Sequence, residues 1–278
     1  MEGAWTRFKQ RRGALVALAL LLLMVLCAVF AGVLSPADPT LQFREQLMQA
    51  PSWHWSQFPL GTDELGRDVL SRMLHGTRLT LGIASLAVVA AAIPGVIAGL
   101  IAAFHPNGIG VAILRLADVL LALPTVLLAI AIVATLGPGV VNTIIAVAVG
   151  SFPSYVRLMR ASALSEISKP YFTATRAIGA SRLRQMFVSV LPNCLGPVIV
   201  NATLDFSNAI LVTAGLGFLG LGAQPPAPEW GTMLANARDF LGRADWLVVT
   251  PGIAILVAVV CVNVVGDALG EAVDPRRR

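Results

Sequence analysis

Three polar side chains fall on one face of an otherwise apolar stretch and could form a polar path through it. Asp205 is preceded by Asn201 at i−4 and followed by Asn208 at i+3, so a helix would carry all three on one side. An ionisable group at membrane depth is costly and usually faces a bundle interior or an aqueous cavity. The pattern therefore predicts either a stripe that lines a solute pathway or a hydrogen-bonded cluster that packs helices together.

Sequence patterns typical of catalysis are missing from the chain. The only lysines are Lys9, followed by Gln, and Lys169, followed by Pro, so no Walker A loop for ATP can form. The three histidines form no HExxH motif, and no Gly-x-Ser-x-Gly elbow occurs. Cys27, Cys194 and Cys261 lie in or beside apolar stretches without metal-ligand spacing. We therefore predict no catalytic residue, no metal and no cofactor on this chain.

The composition predicts an all-α, polytopic membrane protein. Only 13% of the residues are charged, against about 25% in soluble domains, and the mean hydropathy is +0.79. The net charge of +5 comes from residues that flank apolar stretches, which argues against a nucleic-acid partner. Six membrane spans are predicted, at residues 14–34, 80–104, 116–136, 140–158, 194–215 and 248–266.

The basic residues predict the orientation of these spans. Fourteen of the 20 Lys and Arg residues lie in the two termini, at Arg115 and in the segment 157–184. Because cytoplasmic segments carry the excess of positive charge, both termini and the 159–193 loop are predicted to be cytoplasmic. The first apolar run is about 20 residues long, which favours a retained span over a signal peptide.

The segment 171–193, YFTATRAIGASRLRQMFVSVLPN, predicts a helix–turn–helix. Residues 172–178 would form a short amphipathic helix, and Gly179 would supply a turn that other residues adopt at a cost. Ser181 would cap a second, Arg-rich helix, which Pro192 would end before the next span. A short exposed helix of this kind can insert into a groove on a partner protein.

Two further motifs lie in the long segments on the opposite side. The first is GTDELGRD, residues 61–68, in which the i, i+3 and i+4 spacing of the charges predicts a short interfacial helix. Its ion pairs would fix the start of the second span, or the helix would contact an external protein. The glycines of GFLGLG, residues 217–222, predict close backbone packing. PAPEWG, residues 226–231, predicts a rigid turn with Trp230 at the membrane interface. Arg115 and Asp118 are expected to pair.

Together with Asn263, Gly266, Asp267 and Asp274-Pro275, these blocks resemble the permeases of dipeptide/oligopeptide/nickel ABC importers, of the shorter permease type. The permease loop pattern is Glu-Ala-Ala, three residues, Gly, nine residues, Ile, one residue, Leu-Pro. Its Glu, second Ala and Ile are replaced here by Thr173, Thr175 and Ser189. The residues that the resemblance assigns to an ATPase-coupling loop at 160–193 are Ala174, Arg176, Gly179, Ala180, Arg182, Leu191 and Pro192. Those that it assigns to the outer motifs are Asp63, Gly66, Arg67, Asp68, Glu229 and Trp230.

The resemblance also implies an architecture and partners. Residues 1–57 would hold an N-terminal tail, the first span and an outer segment, and residues 58–275 a permease domain of the type I fold. The partners would be a second permease, two ATPase subunits that bind ATP and Mg²⁺, and an extracytoplasmic solute-binding protein, all at a bacterial inner membrane. Peptides are the expected cargo. Nickel or another small solute is the alternative, and a self-sufficient secondary transporter is a weaker one.

Overall fold

The computed structural model describes residues 10–52 and 58–273, which form a bundle of α-helices. The helices are α1 (Arg12–Val29), α2 (Ala31–Leu34), α3 (Val69–Phe104), α4 (Ile109–Leu121), α5 (Thr125–Leu136), α6 (Val140–Ile167), α7 (Pro170–Ala177), α8 (Arg182–Arg184), α9 (Leu191–Phe218), α10 (Trp230–Ala237) and α11 (Trp246–Val273). A π-helix, Gln185–Val190, joins α8 to α9. The predicted all-α class is confirmed. Several residues named or counted above lie outside the described residues: Arg7, Lys9, His54, Asp274, Pro275 and Arg276 to Arg278.

The most extensive helix contact joins α3 to α6, and small residues make it close. The buried small residues recur every fourth position along α3: Ala87, Ala91, Gly95, Gly99 and Ala103. A Cβ atom at Gly95 would lie 2.6 Å from Tyr155 Cβ, and one at Gly99 would lie 2.5 Å from the carbonyl oxygen of Val156. This spacing lets the two backbones approach as in small-residue interfaces of membrane helices.

The predicted span at 116–136 is wrong in shape, because α4 and α5 are bent by 94° to one another. Pro124 lies at the break. It interrupts the helix because proline lacks an N–H group and disfavours the helical conformation in the residue before it. Alone, the 13 residues of α4 reach only about 20 Å, less than the roughly 30 Å of a hydrocarbon core. Yet α3 and α6 run in the same direction, as Gly95 faces Tyr155 while Gly99 faces Met159. The chain must therefore return between them, and the bent pair makes that crossing.

The remaining five predicted spans coincide with helices that are long and apolar enough to cross a membrane. α3 begins eleven residues before the predicted boundary, because Asp68 caps it by accepting a hydrogen bond from the Ser71 N–H at 2.7 Å. The helix α6 likewise continues beyond the prediction to Ile167. Helical structure thus extends outside the most apolar residues, where the hydropathy pattern cannot detect it.

Both ends of the described chain lie at the same end of the bundle as α7. Arg11 before α1 pairs with Glu271 on α11. α11 runs antiparallel to α9, because Gly266 faces Leu204 and Gly270 faces Val200. The C-terminal end of α11 therefore lies beside the start of α9, which the chain reaches from α7 through α8 and the π-helix. At the opposite end, residues 35–52 pack against residues 58–68, and Leu60 packs with Ala237 and Ala244 of the segment 219–245.

Candidate functional site

The predicted coupling loop forms a short helix that is held firmly on one face. Phe172 is buried and meets the ring of Phe104 edge to face, with 6.0 Å between the ring centroids. Gly179 has φ +75°, and its N–H donates to the carbonyl oxygen of Arg176 at 3.0 Å. The Ala180 N–H donates to the carbonyl oxygen of Thr175 at 3.3 Å. These two bonds form a Schellman motif, so the turn predicted at Gly179 is confirmed.

The opposite face of this loop is an exposed tip that mixes apolar and basic side chains. Ile178 is 80% exposed and Leu183 is 68% exposed, although both are large apolar residues. They are flanked by exposed residues that the sequence pattern had singled out, Ala174, Arg176, Gly179 and Arg182. Ala180 is half-buried, and its carbonyl oxygen accepts from Gln185 Nε2 at 2.7 Å. A rigid apolar point with a basic rim can dock into a groove on another protein. The sequence analysis missed Ile178 and Leu183, although both are large apolar residues next to the turn predicted at Gly179 and the Arg-rich helix.

The second half of the loop corrects one prediction. Ser181 caps α8, as predicted, by accepting from the Arg184 N–H at 3.4 Å. Pro192, however, does not end the helix, since it lies in the first turn of α9, which continues directly from the π-helix Gln185–Val190. The six residues of π-helix before it absorb the change in winding. The chain therefore runs as helix from Arg182 to Phe218, with Leu191 half-buried and Pro192 exposed.

A small polar cluster ties α7 to its two neighbours. The Tyr171 hydroxyl donates to Glu166 Oε2 on α6 at 2.9 Å, and Asn193 on α9 donates to that hydroxyl at 3.4 Å. Lys169 pairs with the same glutamate at 2.5 Å. Burial and the Glu166 carboxylate raise the pKa of Tyr171 to about 12, so its hydroxyl stays a donor at neutral pH. Movement of α7 is thereby linked to both long helices.

The predicted polar stripe meets α6 at the centre of the bundle. Asp205 Oδ1 accepts from Ser151 Oγ at 2.7 Å, and Oδ2 accepts from the Tyr155 hydroxyl at 3.0 Å. The Asn208 amide lies near the same carboxylate, and the Asn201 amide lies near the Tyr155 hydroxyl. Asp205 and Asn201 are half-buried and Asn208 is exposed. All three side chains therefore share one face, as predicted, and that face is only partly covered.

The GTDELGRD motif forms a buried ion cluster instead of the predicted interfacial helix. Residues 63–67 form a turn, closed by a bridge between Thr62 and Asp68. Asp63 Oδ2 pairs with Arg67 Nε at 2.6 Å and with Arg72 Nε at 3.4 Å. Because Asp63 also accepts from backbone N–H groups inside the turn, a tight loop satisfies it better than a helix would.

The position of this cluster indicates a structural role. Arg67 is only 4% exposed. Gly66 is required by its φ of +74° and because a Cβ atom would fall 2.2 Å from the carbonyl oxygen of Phe43. Asp68 is buried as the cap of α3. Burial raises the pKa of Glu64, which completes the cluster at the surface by pairing with Arg67 at 3.0 Å. The motif thus caps α3 and pairs with Arg72 in its first turn, as expected if it fixes the start of the second span.

Trp230 lies inside the bundle, so the prediction of a Trp at the membrane interface is wrong. It is completely buried, and its indole N–H donates to the carbonyl oxygen of Met73 at 3.4 Å. Gly76 makes room for it, since a Cβ atom there would lie 2.8 Å from the indole. Glu229 is also completely buried and caps α10 through the N–H groups of Gly231 and Thr232, both at 2.9 Å. The PAPEWG motif therefore packs into the bundle through Trp230 and caps α10 through Glu229.

Glycine is needed beside this glutamate. A Cβ atom at Gly217 would lie 2.2 Å from Glu229 Oε2, so the GFLGLG run does pack closely, as predicted. Thr80 on α3 also donates to Oε1, at 3.2 Å. Burial raises the pKa of Glu229, and the donors around it oppose that shift.

Replacing Glu229 with Ala should destabilise the fold strongly. The change leaves two buried backbone N–H groups and the Thr80 hydroxyl without their acceptor, at about 1–3 kcal/mol for each unsatisfied group. We expect a markedly lower midpoint in thermal unfolding of the purified protein. Asp239→Ala is the control, because that side chain is 77% exposed. Similar midpoints for the two variants would contradict the capping role.

One predicted ion pair is replaced by another. Asp118 on α4 pairs with Arg157 Nη2 on α6 at 2.6 Å, where the sequence favoured Arg115. α4 packs against α6, so the partner comes from across the helix contact. Within the described residues, no group of three or more His, Cys, Asp or Glu side chains could hold a metal ion.

Comparison with known sequences agrees with these features. The family described as "Binding-protein-dependent transport system inner membrane component" matches residues 95–278, and the "N-terminal TM domain of oligopeptide transport permease C" matches residues 1–51. The di/tripeptide transport system permease protein DppC of Pseudomonas aeruginosa is 55% identical over 98% of this chain and 91% of its own. The dipeptide permease of Escherichia coli K12 is 47% identical over 99% and 93%. The glutathione permease GsiD of Pectobacterium atrosepticum is 38% identical over 98% and 90%.

A solved structure shares the architecture. An inward-facing structure of the MetNI methionine ABC transporter matches with a TM-score of 0.59 at 18% identity, over 73% of this chain and 96% of that one. This likeness shows the type I fold of ABC importer permeases. The match over most of the length and the strong identity of the relatives establish the family. The chain belongs to the inner-membrane components of binding-protein-dependent transport systems, among the dipeptide/oligopeptide permeases of ABC importers.

Proposed function

We propose that this chain is one of two permease subunits of an importer that carries di- and tripeptides across the bacterial inner membrane at the expense of ATP. As a member of this family it is a transport subunit and not an enzyme. The observation that carries the choice of cargo is the 55% identity to a di/tripeptide permease over 98% of the chain. Relatives described as dipeptide permeases match at up to 47% identity over almost the whole chain.

The exposed tip of the 160–193 loop would dock onto one of two ATPase subunits, which bind ATP and Mg²⁺. Ile178 and Leu183 would fill an apolar groove, and Arg176 and Arg182 would pair with acidic residues around it. At 80% and 68% exposure, Ile178 and Leu183 are among the most exposed large apolar side chains of the described residues. Because α8, the π-helix and α9 are continuous, a movement of the tip would pass directly into the fifth span.

This docking fixes the orientation that we propose. The ends of the described chain, which lie at the same end of the bundle as α7, would be cytoplasmic, in agreement with the excess of basic residues in both termini. The segments 35–68 and 219–245 would then face outward and receive a solute-binding protein. The face of α9 with Asn201, Asp205 and Asn208 would line the pathway shared with the second permease. Closure of the ATPase pair would switch the spans between inward-open and outward-open packings.

The test is uptake by the reconstituted importer. Proteoliposomes that contain this permease, the second permease, both ATPase subunits and the binding protein should accumulate radiolabelled dialanine when ATP is supplied on the ATPase side. Uptake without the ATPase subunits would contradict the proposal and favour a self-sufficient transporter. Accumulation of nickel in place of dialanine would support the alternative cargo.

A Tyr171→Phe change should weaken the link between ATP hydrolysis and uptake. It removes only the hydroxyl that bridges Glu166 on α6 and Asn193 on α9. We expect dialanine uptake per ATP hydrolysed to fall by roughly fivefold, the ratio that corresponds to a net hydrogen bond of about 1 kcal/mol. Thr175→Ala is the control, since its hydroxyl bonds within α7, to the Tyr171 carbonyl oxygen at 3.0 Å. Equal ratios for both variants and the parent would show that the cluster transmits nothing.

A further inference from the structure

The fifth span carries a single acidic residue at its midpoint. α9 extends over 28 residues, from Leu191 to Phe218, and Asp205 lies in the middle. A helix of that length spans about 42 Å, so its midpoint falls near the centre of a hydrocarbon layer roughly 30 Å thick. An ionisable group at this depth is a candidate functional site whose partner must be found.

The protein holds this carboxylate in place from one side only. Ser151 and Tyr155, both on α6, donate to its two oxygens at 2.7 and 3.0 Å. Both donors are buried, and Tyr155 completely so. A carboxylate offers about four acceptor positions, so the two hydroxyl donors leave capacity for a further donor, even with the Asn208 amide nearby. Within the part of the chain that the structure describes, no Lys, Arg or His side chain forms an ion pair with it.

The remaining side of the carboxylate is accessible. Asp205 is half-buried, and Asn208, on the same face, is exposed. An amide and a carboxylate are not stable against lipid tails at the membrane centre, so this face must meet water or a polar partner. A fixed, accessible and negatively charged group without a cation of its own is suited to a cationic ligand that comes and goes.

We propose that Asp205 binds the protonated amino terminus of the peptide cargo while it passes the middle of the membrane. This inference rests on the proposed function of peptide import. The cargo's α-ammonium group is a compact cation with three N–H donors, and it would offset the charge of Asp205. The Asn208 side-chain oxygen can accept a second of these donors. Ser151 and Tyr155 are positioning residues, since they orient the carboxylate and do not touch the cargo.

The first experiment measures dialanine uptake by the complete reconstituted importer, with saturating peptide and binding protein. Asp205→Asn keeps an acceptor in place but removes the charge, and we expect uptake about 10- to 100-fold below the parent, the ratio for one charge-assisted hydrogen bond. Asp205→Glu keeps the charge and should recover most of that loss. Ser207→Ala is the matched control. Ser207 lies two residues after Asp205 on α9, and the change removes a hydrogen bond of 2.7 Å to Asn263 on α11 without altering the charge of the helix.

A purely structural role for Asp205 predicts a different pattern. Asp205→Asn would then lower the midpoint of thermal unfolding, Asp205→Glu would be no better tolerated, and Ser207→Ala would lose uptake to a similar extent. Either that pattern or unchanged uptake in Asp205→Asn overturns the proposal. Failure of the parent importer to take up dialanine would instead reject the proposed function, because that measurement does not involve a change at Asp205.

The second experiment tests the chemistry of the ligand. The assembled permeases and ATPase subunits, in nanodiscs and without the binding protein, are given radiolabelled dialanine together with either unlabelled dialanine or N-acetyl-dialanine. The site we propose is blocked by dialanine and not by the acetylated peptide, which has no ammonium group, and the competition is absent in Asp205→Asn. Equal competition by both peptides, or no competable binding to the parent complex, would overturn the assignment.

Discussion

Gly179→Arg is expected to abolish ATP-driven uptake in an importer whose permease is otherwise folded and inserted. Gly179 ends α7 with φ +75°, and other residues adopt that conformation at a cost of about 1–2 kcal/mol. The glycine is exposed, and no atom lies within 4 Å of the position of a Cβ. The new side chain therefore disturbs only the tip, next to Ile178. We expect at least about a tenfold fall in dialanine uptake, as for a residue central to an interface, and loss of the ATPase subunits on purification.

Gly220→Arg supplies the matched control for retention of the ATPase subunits on purification, a measurement that does not involve the binding protein. Gly220 also has a positive φ, +76°, and open space around its Cβ position, but it follows α9 at the opposite end of the bundle. It therefore places the same side chain at a positive φ without touching the tip. Ala174→Glu should reproduce the loss of uptake, because Ala174 is exposed on α7. Full uptake in Gly179→Arg, or an equal loss of the ATPase subunits in Gly220→Arg, would reject docking through this loop.

Features governed by neighbouring residues in the sequence were predicted well. The turn at Gly179 and the cap at Ser181 depend on backbone conformation and on hydrogen bonds that span three to five residues. The shared face of Asn201, Asp205 and Asn208 follows from helical periodicity alone. Each of these depends on helix geometry, which is the same wherever the helix packs.

Features governed by distant residues were not predictable in this way. Pro94 and Pro124 both lie in apolar stretches, yet only Pro124 breaks its helix. Next to Pro94, Gly95 packs tightly against Tyr155 on α6, whereas Leu123 beside Pro124 is half exposed. Packing against a neighbouring helix thus keeps Pro94 within a continuous helix, and the sequence does not show which proline will have such a neighbour.

The outer motifs illustrate the same limit. The spacing of Asp63 and Arg67 revealed their ion pair, but not that Arg72 would join it or that the whole cluster would be buried. The burial of Trp230 depends on a space left by Gly76, more than 150 residues earlier in the chain. An aromatic residue in a loop near a membrane is typical of the interface, and only the tertiary contact reverses that expectation.

Gly99→Leu should disrupt the contact on which the bundle depends most. A Cβ atom at this position would lie 2.5 Å from the carbonyl oxygen of Val156, 2.8 Å from Met159 Cβ and 3.2 Å from the Arg160 nitrogen. Two of these are backbone atoms of α6, so no side-chain rotation relieves the overlap. Overpacking in a core costs about 1–3 kcal/mol, and a clash with backbone belongs at the upper end or beyond. We expect a much lower midpoint in thermal unfolding and little protein in the membrane.

The same substitution elsewhere on α3 separates packing from helix propensity. At Gly82 no atom lies within 4 Å of the Cβ position, so Gly82→Leu adds the same side chain without a clash. Because leucine forms helices better than glycine, this variant should be at least as stable as the parent. The end of α6 carries Glu166, which holds α7 through Tyr171. Separation of α3 from α6 should therefore also abolish uptake by those Gly99→Leu molecules that reach the membrane. Similar unfolding midpoints for the two leucine variants would show that the α3–α6 contact yields more easily than its distances imply.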